Sequence, residues 1–188
     1  MTPPSSPSGT PDQRVALVHD WLTGMRGGER ALEAICELYP ESGRFALLHV
    51  RGSASSAITG RGVRTSFLQG FPGARHYYRS LLPLFPTAIE QFDLDDVDLV
   101  ISTSHCAAKS VVTPGRTRHL CYCCTPMRYA WNQFDAYFGP DRVGTGASHL
   151  LRWQLNRLAR WDAATASRAD RYVAISQYVF FRKRLNYD

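Results

Sequence analysis

With 188 residues, 44% of them hydrophobic and 20% charged, the chain is long enough to bury a genuine core, and it is neither low-complexity nor fibrous. No apolar run reaches bilayer-spanning length, and the opening MTPPSSPSGTPDQ has neither a basic start nor an apolar h-region, so spanning and exported classes are set aside and a cytoplasmic location is the default. A net charge of +6 keeps anionic partners in view, but no RNA-binding aromatic signature or zinc-finger spacing accompanies it, and nucleic acid is not expected.

Residues 1–13, rich in Pro, Ser, Thr and Gly, read as a disordered lead-in to one domain over 14–188. The apolar run Val15-Ala16-Leu17-Val18 is too short for a helix and suits a strand covered on both faces. Ala31, Leu32, Ile35 and Leu38 then recur at helical spacing beside Glu29, Glu33 and Glu37. Between strand and helix lies His19-Asp20-Trp21-Leu22-Thr23-Gly24-Met25-Arg26-Gly27-Gly28. Glycines at such a turn let backbone N–H groups approach a ligand, and a helix N-terminus favours an anion. Gly27 and Gly28 are therefore a candidate phosphate or diphosphate site. Neither the dinucleotide nor the P-loop glycine fingerprint is present, so the same glycines could serve only the turn.

After a turn at 39–43, Arg44 to Val50 reads as a second strand, 51–62 as a loop, and Val63 to Leu68 as a short third strand. Residues 77–92 carry helical spacing broken by Pro83 and Pro86, which predicts a kinked helix or two short ones. Two more strands follow, Asp98 to Ser104 and Arg118 to Cys123. Tyr129 to Phe138 is a short aromatic helix or an ordered loop. Ser148 to Ser167 is the longest helix, with Leu151, Leu155 and Leu158 as its stripe. Tyr172 to Ser176 is a last strand, and a helix opens at Tyr178. Strands alternating with helices predict an α/β fold, a Rossmann-like doubly wound parallel sheet. Ligands of such sheets bind beyond the carboxyl ends of the strands, here His19 to Gly28, Ser102 to Lys109, Cys124 to Arg128, and Ser176.

Five cysteines, an odd number, predict thiols rather than disulfides. Cys106, Cys121, Cys123 and Cys124 lie close in sequence to His105 and His119, but no C-x-x-C pair exists, and Cys124 points away from the strand face shared by Cys121 and Cys123. Core thiols account for them better than a metal site, and no metal is expected.

Four stretches, HDWLTGMRGGERALEAI, LVISTSHCAAKSV, HLCYCCTPMRYAWNQFDAYF and RWDAATASRADRYVAIS, resemble in order and spacing the N-terminal domain of retaining family 4 glycosyltransferases of the GT-B fold. The likeness is to bacterial enzymes extending surface polysaccharides, including mannosyltransferase-like members, and covers about 14–188. It implies a two-domain fold in which this half mainly holds the acceptor and a second grips a nucleotide diphosphate sugar. The implied activity is transfer of a hexosyl group, mannosyl among the candidates, to a glycan or lipid-linked acceptor, with retention and without metal or other cofactor. By resemblance Gly27 and Gly28 approach the donor diphosphate, and their amides stabilise charge on the leaving group. His19, Asp20, His105 and Cys124 fall in the catalytic cleft, and Ser104, Lys109 and Arg128 on the acceptor side. His19 and Asp20 could instead brace the loop, His105 could be structural, and Arg128 could meet an anionic acceptor or pair with Asp135.

Two departures accompany the likeness. Cys124 stands where the family carries a histidine, and a thiol cannot reproduce the two polar edges of an imidazole. The family's second domain, with its E-x7-E motif, is not in this chain, which is then expected to be inactive without a separate C-terminal half. The alternative is a non-catalytic remnant or assembly module on the same fold. The arginines of 152–184, with Trp153, Trp161, Tyr178, Phe180 and Phe181, are a solvated face plus core aromatics, a peripheral contact with an anionic leaflet, or a self-association surface.

Overall fold

The computed structural model describes residues 13–125, 127 and 145–181; the expected lead-in and the 129–138 segment lie outside them, apart from Gln13. The first apolar run is strand β1 (Val15–Leu22), followed after a short turn by helix α1 (Gly27–Leu38). The stripe that anchors α1 differs from the expected one. Leu32 and Cys36 are buried, Ile35 is half-buried, and Leu38 is 67% exposed. Residues 32 and 36 sit one turn apart on a single face, and Leu38 has rotated off it.

Strand β2 (Gly43–His49) follows, and the expected 51–62 loop carries a single helical turn, α2 (Ser56–Thr59), whose Ile58 is fully buried. Strand β3 is only Arg64–Thr65. The proline-bearing stretch resolves into short pieces: α3 (Ala74–Tyr77), a 3-10 segment (Tyr78–Leu84) containing Pro83, and α4 (Phe85–Glu90). Pro86 lies in the first turn of α4, where its missing N–H has no helical partner to lose. Strands β4 (Leu99–Ser104) and β5 (Arg118–Cys123) precede the long helix α5 (Thr145–Ala164), a 3-10 turn at Ala166–Arg168 and strand β6 (Arg171–Ala174). Ser176 caps the helical turn that follows, its hydroxyl accepting from Val179 N at 3.3 Å.

The six strands form one parallel sheet in the order β3-β2-β1-β4-β5-β6. Both faces are covered, as the doubly wound expectation requires. Ala16 and Val18 pack into a cluster with Phe85, Ile89, Leu155 and Leu158, while Leu17 packs with Leu32, Cys36 and Ile58 on the other face. From β1 the chain goes one way to β2 and β3, and from β4 the other way to β5 and β6. The order therefore reverses at the β1–β4 seam, the position at which open parallel sheets part at their carboxyl ends.

Candidate functional site: the crevice at the β1–β4 seam

His19 and Asp20 lie in the second half of β1 and Thr103 near the end of β4, with His19 paired to Thr103 in register. His19 is 1% exposed; its Nδ1 lies 2.6 Å from Thr103 Oγ1 and its Nε2 has no hydrogen-bond partner. Glu29 Oε1 lies 3.9 Å from that nitrogen, longer than a hydrogen bond. Glu29 is buried at the third position of α1, and its Oε2 accepts from Arg26 N at 3.1 Å. Burial pushes the Glu29 carboxyl up, but the imidazole of His19 and the amides of Glu29 and Arg26 outweigh it, holding the group below the ordinary carboxylate range.

Gly27 and Gly28 open α1 beside these groups. Their N–H groups belong to the first turn, which has no intrahelical acceptors. The two glycines differ in surroundings. A Cβ at Gly27 would meet open space, whereas one at Gly28 would touch Cys124 Sγ and His19 Cε1 at 3.5 Å and lie 4.0 Å from His105 Nδ1. Gly28 thus borders a small space walled by His19, His105 and Cys124, while Gly27 borders solvent.

Asp20 is fully buried and forms the floor on the β4 side. Its Oδ2 accepts from His105 N at 2.7 Å and Cys106 N at 2.9 Å, and its Oδ1 from Ala107 N at 2.6 Å and Ala108 N at 2.8 Å. A carboxylate so engaged braces the loop beyond β4, which is the structural alternative that the sequence leaves open for Asp20. The same Oδ2 lies 3.2 Å from His105 Nδ1, and the His105 ring, one-fifth exposed, meets Trp21 edge-on at 4.4 Å.

Cys124 follows β5, its N–H donating to Ser104 O at 2.8 Å. Burial first, then the negative charges of Asp20 and Glu29, push its thiol up to about 12. The side chain is a neutral thiol at physiological pH, not a thiolate nucleophile. Cys121 and Cys123 are buried together against Ala169 and Val179, as strand alternation predicts, and among the described residues no three His, Cys, Asp or Glu groups converge on a metal geometry.

The remaining expected residues divide. Ser104 is buried at the end of β4, close in sequence to the crevice. Lys109 does not line it: the side chain is 1% exposed and its Nζ donates to Asp162 O at 2.7 Å and Ser110 Oγ at 3.2 Å while pairing with Asp162 Oδ1 at 2.9 Å. The reason is topological, since the loop after β4 turns inward there to meet α5. Arg128 lies outside the described residues. Glu29, Thr103 and Trp21 are the groups that sequence reasoning passed over. Only Glu29 carried a signal, a glutamate three residues into a helix, and Arg26 in place of Ser, Thr or Asp ahead of it hides the usual capping pattern.

A cavity of about 700 Å³ lies elsewhere, lined by Arg14, Val15, Tyr39, Ser42 and Arg64 at the amino ends of the strands. No helix among the described residues is long and apolar enough to cross a membrane. Compared with known protein families, curated proteins and solved structures, the chain finds no match.

Proposed function

We propose that this domain is the acceptor-side half of a retaining GT-B glycosyltransferase of the family 4 type, handling transfer of a hexosyl group, mannosyl among the candidates, from a nucleotide diphosphate sugar to a glycan or lipid-linked acceptor. The observation that carries the reading is the Gly27–Gly28 entry to α1, which faces the β1–β4 switch point with His19, His105 and Cys124 around it. First-turn amides and the helix field supply a site for a diphosphate, and the imidazoles supply hydrogen-bonding partners for sugar hydroxyls. By the same resemblance the donor is gripped mainly by a second domain, a separate chain or one beyond this stretch, so turnover is expected only when that half is present. The arginines and aromatics of α5 and the turn after β6 suit contact with an anionic leaflet or a second copy of the chain, and a cytoplasmic place at the inner membrane face fits a lipid-linked acceptor.

Calorimetric titration with nucleoside diphosphates and nucleotide sugars tests this. Binding in the micromolar-to-millimolar range that is lost in Gly28→Val supports it. A folded protein that takes up none of these ligands overturns an autonomous diphosphate site.

One observation favours a second reading, a non-catalytic binding or assembly module. Cys124, standing in the family's histidine position, is a neutral thiol with a pKa pushed up to about 12. Ligand binding without any turnover after mixing with a competent donor-binding half would select this module.

A further inference from the structure

The turn beyond β4 presents four consecutive amide N–H groups, those of residues 105–108, to one point in space, the geometry with which loops usually hold a phosphate or other external anion. Here the chain's own Asp20 carboxylate occupies that point, 85–88 residues away in sequence and excluded from solvent. The same carboxylate oxygen that takes the His105 amide also lies 3.2 Å from the His105 ring at Nδ1. An ionised carboxylate disfavours a bare ring nitrogen at that distance, so the contact favours the proton on Nδ1. Trp21, the next residue of β1, meets the opposite constraint by setting the ring edge-on at 4.4 Å. Two adjacent residues of one strand thus contact the ring of a histidine on the neighbouring strand's loop, one at Nδ1 and one edge-on.

We propose that Asp20 is a tethered anion and the positioning residue for His105: it fills the amide nest beyond β4 in place of a ligand and holds the crevice imidazole as its Nδ1–H form. Asp20 does this whether or not the crevice takes a nucleotide sugar. One consequence is that the two turns at the seam are not equivalent. Only the glycine turn of α1 remains open to an external anion.

The test needs no ligand. The 15N spectrum of the six imidazoles in the full chain, with the His105 signal identified by its loss in His105→Gln, reports the tautomer directly. Neutral His105 is expected as a protonated Nδ1 with a bare Nε2, and in Asp20→Asn the ring is expected to drift toward the Nε2–H form. A protonated Nε2 with bare Nδ1 in the wild-type protein overturns the proposal whether or not Asp20→Asn folds, and so does an unchanged tautomer in a folded Asp20→Asn. Removal of the tether supplies a second readout. Asp20→Ala is expected to lose melting temperature and to regain most of it with formate, which replaces the missing carboxylate, but not with chloride at equal ionic strength. A folded Asp20→Ala indifferent to formate overturns the tethered-anion half of the proposal. Failure of nucleotide binding alone would leave both readouts standing and fault only the function proposed above.

Discussion

Two buried histidines hang from consecutive residues of β4, on opposite faces of the sheet, and they have opposite characters. His119, on β5, has both ring nitrogens partnered: Nε2 with Ser102 Oγ at 2.8 Å and Nδ1 with Arg168 O at 3.1 Å. His19, on β1, meets Thr103 with one nitrogen and has no hydrogen-bond partner on the other, with Glu29 3.9 Å away. Both are 1% exposed, so burial does not distinguish them. The difference lies in what each faces. His119 looks into an interior closed by α5 and the 166–168 turn, where Lys109 and Asp162 neutralise one another. His19 looks toward the first turn of α1, where a glycine leaves space. An unsatisfied buried nitrogen costs stability, and its place beside an anion-favouring helix end is where a ligand could repay that cost.

The largest effect expected from breaking this contrast is on the closed side. Lys109→Met leaves Asp162 buried without its cation and should destabilise the fold by about 3–5 kcal/mol in denaturant melts while sparing ligand affinity. Weakened binding with little loss of stability would move Lys109 back into the functional half.

Next comes a pH effect. Burial lowers the His119 pKa from 6.5 to about 4, so between those values the unfolded chain binds the extra proton and the folded one does not. Stability should therefore fall as pH drops from 6.5 to 4, by roughly 3 kcal/mol from this group, and level off below. In His119→Gln that part of the slope should vanish, which paired melts across the pH range would reveal.

On the open side, Gly28→Val should weaken nucleotide binding at least tenfold, about 1.4 kcal/mol, with a much smaller change in melting temperature. The smallest effect sharpens the contrast between the two glycines. Gly27→Ala, with open space around its new methyl, should stabilise α1 by up to about 1 kcal/mol and leave binding unchanged.

Much of this architecture was legible in the sequence because local pattern and global fold agree. Val15 to Val18 reads as a doubly covered strand and is one, and the alternation of strands and helices yields the parallel sheet. The errors follow the same physics. Spacing alone puts Leu38 in the helical stripe, but α1 ends there and the residue turns to solvent. The resemblance puts Lys109 on the acceptor side, and nothing in its neighbourhood announces Asp162, 53 residues on. For Asp20 the sequence leaves cleft and brace both open, and it does not show which loop is braced, because the four amides that claim it lie 85–88 residues away. Gly28 and Gly27 look alike as letters and differ only in which residues the fold brings opposite them.

The span of the Asp20 contacts has a kinetic side. A loop exposed at the rim of a sheet ordinarily exchanges its amide protons by small local openings. The amides of Ala107 and Ala108 are bound instead to a carboxylate inside the molecule, across 87 and 88 residues of chain. Freeing them means breaking their bonds to Asp20, which stands one residue past the β1–β4 pairing, the longest-range pairing in the sheet. These two loop protons should then exchange as slowly as those of the core strands, through global unfolding alone. The crevice, by that measure, is assembled in the same step as the sheet itself.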